Sequence, residues 1–393
     1  MNTSPETVAG LTEPPEQARR RRRLVLAGQI AFLPTGVLTT LLGPMLPILA
    51  VRWGLTDKQA GSLFPVQFLS QLAGVLLSGV MVARLGFCPV FLSGLLLMAG
   101  GVGTLYLGSP WLGMVSVAVY GLGLGLVIPT DNLMIAEVST GSRAAAVSLL
   151  NFFWGVGAVL CSLLVAWAQA HHMVQVFLGS VALFLVLLVV ALRKLPFPGA
   201  RESTDAPIPW REIAGSPVTW LFACVFFLYP GAETAVGGWI GSFATRLGSH
   251  QVSMGAMMPA FFYAALTLGR GAGGSLLQRL PERRVLQAGY GIAVVGIGFL
   301  LRTSTLSGVI ASALITGLSF ATVYPITVAR LSQRFGVAAR SVGAIMFSIA
   351  ALGPAALPWL VGLVSQSTGS LRAGLAVPFI ATVILFLIHL KDW

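Results

Sequence analysis

The stretch that decides the fold is Val218-Thr-Trp-Leu-Phe-Ala-Cys-Val-Phe-Phe-Leu-Tyr-Pro-Gly-Ala-Glu-Thr-Ala-Val-Gly-Gly-Trp-Ile-Gly-Ser242. It is apolar and long enough to cross a bilayer as a helix, since ~20 residues at ~1.5 Å each span ~30 Å of hydrocarbon. Near its middle stand a helix breaker, Pro230-Gly231, and an acid, Glu233. A carboxylate at that depth is costly unless it is protonated, paired or facing a wet cavity. Backbone broken there is tolerated only where protein or cavity satisfies its polar groups. Both anomalies point to a polar cavity near the membrane midplane, where transporters keep their sites. The plainer reading is a protonated Glu233 packed against a neighbouring helix as structural glue.

Working outward, the whole chain has the same character. Of 393 residues, 56% are hydrophobic and 9% charged, against about 25% charged in a soluble domain. This is the composition of an integral membrane protein, with the lipid bilayer as its first partner. Forty-six glycines suit helices whose backbones approach closely in lipid. A net charge of +12 would suggest nucleic acid in a soluble protein. Here the charge lies around the spans, and no nucleic-acid partner is expected. The run Arg19 to Arg23 is explained by topogenesis and attraction to anionic lipid. Cys88, Cys161 and Cys224 lie in or beside apolar runs without metal-ligand spacing, so neither structural disulfides nor a metal site is expected. The first apolar run is too long for a signal-peptide core. No phosphate-binding loop or nucleophile constellation appears, which argues against ATP-driven transport and against an enzyme, and no cofactor is expected.

Twelve apolar runs follow one another, at 24–50, 59–83, 88–108, 111–137, 144–169, 173–192, 217–243, 252–277, 285–302, 305–329, 341–364 and 371–390. The expected organisation is a cytoplasmic tail over 1–23, disordered through residue 18, then an N-terminal six-helix bundle over 24–192. A polar cytoplasmic linker over 193–216 leads into a C-terminal six-helix bundle over 217–393. Placing the arginine-rich tail in the cytoplasm leaves Arg52, Lys58, Arg246, Arg302 and Arg372 outside, Arg270 within a span, and eighteen basic residues inside. That bias sets the orientation, with both termini cytoplasmic. The short loops and tails point to no obligate partner, and a monomer is expected.

The halves echo each other. Gly121, Pro129 and Gly157 recur 196 positions later as Gly317, Pro325 and Gly353. Gly79-x4-Arg84 recurs as Gly274-x4-Arg279, 195 positions later. Two related bundles with a substrate path along their shared axis are what this implies.

At this point the chain resembles a major facilitator superfamily transporter. Gly79-Val-Met-Val-Ala-Arg84-Leu-Gly86-Phe-Cys88 is similar to that family's signature between the second and third helices. Ala83 stands where the signature usually has Asp, and Phe87-Cys88 replace basic residues. By that resemblance Gly79, Arg84, Gly86, Arg270 and Arg279 are gating and conformational candidates. Three further stretches resemble bacterial members of the fucose/hexose–proton symporter-like branch: Leu150-Asn-Phe-Phe-Trp-Gly-Val-Gly-Ala158, Phe227 to Trp239, and Phe261 to Arg270. The fucose permease pattern has an acid in the first helix, and none stands in 24–51 here. The resemblance implies an all-α protein of two pseudo-symmetric bundles in a bacterial cytoplasmic (inner) membrane, working by alternating access.

The polar residues at membrane depth are the candidate site. Gln67 and Gln71 share one face of the second helix, and Tyr229 and Glu233 one face of the seventh. Asp131 and Asn132 follow Pro129 on the fourth, at a depth that Asn151 on the fifth can match. Trp154, Trp239, Tyr263 and Tyr324 add flat faces on which sugar rings stack. Amides, carboxylates and phenols supply donors and acceptors for hydroxyl-rich ligands. Each has a bland alternative: the amides can join helices by hydrogen bonds, the indoles can pack, Asp131 can be solvated or pair with Arg143 or Arg330, and Arg270 can snorkel. His171, His172 and His389 read as solvated. The expected function is secondary transport of a sugar or related polar molecule, proton-coupled through Glu233 or Asp131, with sodium left open as coupling ion. The alternative is proton-coupled efflux of drugs or amphipathic metabolites.

Overall fold

The computed structural model describes residues 15–139, 143–195, 197–199, 215–247, 251–335 and 339–391. Among these, twelve helical stretches are long and apolar enough to cross a membrane. They are Arg21–Thr40, Asp57–Leu85, Phe87–Thr104, Pro110–Val138, Ala146–Ala170, Val174–Leu192, Pro217–Arg246, Val252–Gly273, Glu282–Arg302, Leu306–Phe335, Ile345–Thr368 and Leu371–Leu390, here the first to twelfth spans. Eleven match an expected run to within about six residues. The first stops at Thr40 inside the expected run 24–50, the rest of that run forming the separate helix Leu42–Trp53. Every regular element among the described residues is helical. An even number of spans puts both ends on one face, called here the terminal face; the other is the far face.

Local chemistry sets the ends. The fourth and seventh spans begin Ser109-Pro110 and Ser216-Pro217, where a proline in the first turn loses no helical hydrogen bond. The second span opens through a capping box in which the Thr56 hydroxyl accepts from the Gln59 N–H and Gln59 reaches back to Thr56. One expectation is corrected at the first helix: it runs from Pro15 to Thr40, so residues 15–18, expected to be disordered, are helical together with Arg19–Arg23. Residues 1–14 and 200–214, most of the tail and linker, lie outside the described residues.

The expected break at Pro230-Gly231 is also corrected, because the seventh span is continuous from Pro217 to Arg246 with Pro230 inside it. Gly231 instead serves a close approach. A Cβ there would lie 2.9 Å from the carbonyl oxygen of Gly353 on the eleventh span. Beside one-residue breaks at Ser62 in the second span and Leu375 in the twelfth, interruptions fall in the first helix, which stops at Thr40 and resumes at Leu42, and in the tenth, which stops at Phe320 and resumes at Val323. Pro44 and Pro325 explain both, since each lacks the N–H that would reach the carbonyl four residues back and crowds it. Those carbonyls belong to Thr40 and Ala321.

The sequence repeat has a physical counterpart. A Cβ at Gly121 would meet the Gln67 carbonyl at 2.6 Å, and one at Gly317 the Phe262 carbonyl at 2.2 Å. The fourth span thus lies on the second as the tenth lies on the eighth. Gly157 sits against the Leu33 carbonyl and Gly353 against that of Phe227, so the fifth lies on the first as the eleventh lies on the seventh. The first, fourth, seventh, eighth and tenth spans are the most buried by the protein itself, at 61, 56, 61, 56 and 56%, while the sixth, at 17%, belongs to the rim. The first and last six spans meet where the fifth packs on the eighth and the second on the eleventh.

Candidate functional site

Glu233 is the centre of a cluster drawn from four spans. One turn earlier on the same helix face, the Tyr229 hydroxyl donates to Glu233 Oε2. That hydroxyl also lies 3.1 Å from the carbonyl of Phe320, the last residue before the break in the tenth span. From the eighth span, Arg270 brings Nη2 to 3.6 Å from the same Oε2. Its guanidinium carbon stands 5.6 Å from the centre of the Trp154 indole on the fifth span, within cation–π range. The indole meets the Tyr263 ring edge-on at 6.4 Å. The Tyr324 ring stacks on Tyr229 at 6.3 Å, and Phe320 meets Tyr229 edge-on at 5.4 Å. Helical spacing explains the convergence: Tyr229 and Glu233 are one turn apart and Tyr263 and Arg270 two, so each pair shares a face.

The charged pair is partly accessible. The Glu233 and Arg270 side chains are 14 and 25% accessible, although both sit mid-helix among other spans. The Arg270 Nε is buried and has no hydrogen-bond partner. Arg270 does not snorkel; it turns inward to an acid. Tyr229 and Tyr263 are buried, and their rings with Trp154 and Tyr324 wall the charged pair.

The structure places other candidates elsewhere. Gln67 is fully buried, donating to the Thr39 carbonyl at 3.0 Å and accepting from the Tyr120 hydroxyl at 2.8 Å. It pins the first, second and fourth spans together, and its amide is already engaged. Trp239, 1% exposed, donates from its indole N–H to the Pro358 carbonyl at 2.9 Å and so ties the seventh span to the eleventh. Asn132 and Asn151 each donate to their own helix, to Ile128 and Val147. The Gln71 Oε1 is buried without a partner. Asp131 is fully buried with both oxygens unpartnered, neither solvated nor paired with an arginine. It faces Gly28 of the first span, where a Cβ would lie 2.7 Å from Oδ1. His389 is buried too, its ring bonded to the Leu385 carbonyl and set against Tyr290, whereas His171 and His172 are exposed as expected.

One constellation escaped the sequence reading. At the far face Asp57, opening the second span, accepts from Arg246 at the end of the seventh at 2.8 and 2.5 Å. It also accepts from the Ser365 hydroxyl of the eleventh at 2.5 Å. The signal was available, because Asp57 is the one acid in the far-face loops, among five basic residues. Around it the halves touch closely: Gly43 lies under the Gly237 carbonyl, Gly238 under the Phe64 ring, and Gly362 under the Asp57 carbonyl. Toward the terminal face, Gly79 and Gly271 have open space where a side chain would project. The halves are therefore latched at the far face.

A family model described as Major Facilitator Superfamily matches residues 29–354. The chain belongs to the major facilitator superfamily. It is a multi-pass membrane transporter of a small molecule, not an enzyme. An uncharacterized MFS-type transporter of Yersinia pestis is 25% identical over 90% of this chain and 92% of its own. The glucose/mannose transporter GlcP of Bacillus subtilis is 23% identical over 90 and 91%. Among solved structures, the nucleoside transporter NupG superposes with a TM-score of 0.78 at 13% identity, covering 93% of this chain and 99% of that one. The E. coli fucose:proton symporter FucP gives 0.62 at 17%, covering 94 and 98%. At those identities the structural matches speak to the fold alone.

Within this superfamily fold the loop signature has a clear physical part. Gly86 joins the second and third spans with φ +81° and ψ 176°, a backbone that a residue with a Cβ resists. Gly79 and Arg84 are exposed on the last turns of the second span, and Arg279 is exposed after the eighth. Among the described residues none of these arginines forms an ion pair, consistent with Ala83 standing where an acid would have met one.

Proposed function

We propose that this superfamily member is a proton-coupled symporter of a sugar or related hydroxylated molecule in a bacterial cytoplasmic membrane. The terminal face is then the cytoplasm, and the latched far face belongs to the inward-facing side of an alternating-access cycle. The observation that carries the reading is the Glu233 carboxylate, held mid-span by Tyr229 and Arg270 and still 14% accessible. In this position the acid exchanges protons as access alternates, and protonation removes the cost of a bare charge in the occluded state. Trp154, Tyr263 and Tyr324 supply the ring faces and hydroxyls that suit a saccharide. The likeness to a glucose/mannose transporter supports the substrate class. Asp131 is the second proton candidate, but it lies apart from the aromatic cluster and has no partner to exchange with.

The test is uptake of labelled monosaccharides into proteoliposomes under an imposed pH gradient, wild type against Glu233→Gln. Accumulation should vanish in the variant while substrate exchange across the membrane at equal pH persists. Gradient-driven accumulation that survives the substitution removes Glu233 from the coupling role.

A further inference from the structure

We infer that the transported molecule is a sugar acid, an aldonate or uronate, whose carboxylate takes the place of Glu233 on Arg270. The inference rests on the reading that the Glu233 cluster is the transport site. A guanidinium offers five N–H donors in a rigid fork. Here that fork is only partly used. Its contact with Glu233, at 3.6 Å, is longer than a hydrogen bond, and Oε2 is already taken by the Tyr229 hydroxyl. The Arg270 Nε is buried with no protein acceptor among the described residues. A buried donor left unpaired is costly, so the site is built for an acceptor that the empty protein does not supply. A planar carboxylate fits the fork with two parallel bonds. A neutral hydroxyl fills one position and leaves the charge unmatched.

The charges close around this exchange. The titratable groups facing Glu233 from the packed spans are Tyr229, Tyr263, Arg270 and Tyr324, while the fifth span contributes the uncharged Trp154. In the empty site ionised Glu233 balances Arg270. When a proton binds the Glu233 carboxylate, Arg270 loses its counter-charge and the substrate carboxylate replaces it. Both the empty and the loaded site are then neutral, and no uncompensated charge crosses the low-dielectric centre. Release reverses both steps, with the proton and the anion leaving on the same side. One proton and one anion therefore move together without net charge, whereas a neutral sugar with one proton moves a positive charge.

That difference is the experiment. Wild-type protein in proteoliposomes is given D-glucuronate or D-gluconate, with D-glucose and D-sorbitol as their neutral counterparts. Either an inside-alkaline pH gradient or a potassium diffusion potential set by valinomycin at equal pH drives uptake. The acids should accumulate under the pH gradient about tenfold or more above the neutral solutes, as one charge-assisted pair implies. They should ignore the potential. Arg270→Gln should abolish acid uptake, and Arg270→Lys, which keeps the charge and loses the fork, should weaken it by roughly tenfold. Thermal unfolding of both variants checks that they fold. Accumulation of glucose or sorbitol as strongly as the acids, driven by the potential, overturns the sugar-acid assignment and leaves symport standing. Acid uptake undiminished in a folded Arg270→Gln overturns the role of Arg270. If none of the four solutes accumulates under either force, the inference and the proposed function fall together.

Discussion

The acid–arginine pairs Asp57–Arg246 and Glu233–Arg270 each hold helices together in this transporter, and they are made differently. Asp57 and Arg246 at the far face form a complete fork, with contacts of 2.8 and 2.5 Å and a third donor from Ser365. Glu233 and Arg270 in the centre share one contact of 3.6 Å and leave a buried N–H unmet. The complete pair is the more accessible one, at 15 and 46% against 14 and 25%. Water and salt screen an accessible pair, so complete geometry there adds little energy. A shielded pair is sensitive to every missing bond, because its charges have little solvent to fall back on. The first pair joins the two halves across the second, seventh and eleventh spans. The second lies within one half and meets the other through Trp154. One is a latch, complete when shut. The other is unfinished, as a site that changes partners must be.

The largest expected effect separates the two at a stroke. Glu233→Gln should abolish accumulation under a pH gradient, while Asp57→Asn should retain it, because the latch biases a conformational equilibrium and carries no proton. Asp57→Asn should instead favour opening of the far face. Spin labels at exposed Val51 and Ser367 report the distance between the halves there. Loss of the fork removes about 1 kcal/mol at most, roughly a fivefold shift in the two populations. High salt should reproduce part of that shift in the wild type and none of it in the variant. An unchanged distance distribution in Asp57→Asn would mean that the glycine contacts alone keep the far face shut.

The contrast also explains what could be read from the sequence. The spans were legible because lipid demands long apolar helices and the basic residues mark their ends. The repeat was legible because a glycine at a backbone-to-backbone crossing cannot be replaced cheaply, so Gly121 and Gly317, or Gly157 and Gly353, keep their spacing. Glu233, Tyr229 and Arg270 stood out as polar groups where polarity is costly, and the structure brings them together with Trp154, Tyr263 and Tyr324. Gln67 and Trp239 stood out for the same reason but are helix pins. Composition does not say whether a buried amide or indole N–H finds its partner in a ligand or in a neighbouring carbonyl. Pro230 misled because proline removes one hydrogen bond, and whether the helix then breaks depends on its neighbours. Gly231 packed on Gly353 leaves the seventh span intact, while Pro44 and Pro325 each stand beside an interruption. Asp57 was missed because an acid at a helix start is common, and its partner lies 189 residues away.

The smallest expected effects belong to those pins, and they sharpen the comparison from the other side. Trp239→Phe removes the indole bond to Pro358 but keeps most of the ring's packing. Gln67→Leu removes both polar contacts of Gln67 at similar volume, leaving the Tyr120 hydroxyl and the Thr39 carbonyl unmet. An interhelical hydrogen bond in lipid is worth ~0.6–2 kcal/mol, so each variant should unfold a few degrees below the wild type, Gln67→Leu by more. Neither side chain reaches the Glu233 cluster, so the pH dependence of uptake and the preference between acids and neutral sugars should stay unchanged. Melting in detergent together with competition between D-glucuronate and D-glucose measures both quantities on one preparation. A change in substrate preference with Trp239→Phe, at unaltered melting temperature, would return that indole to the binding site and make the seventh span's far half part of the substrate path.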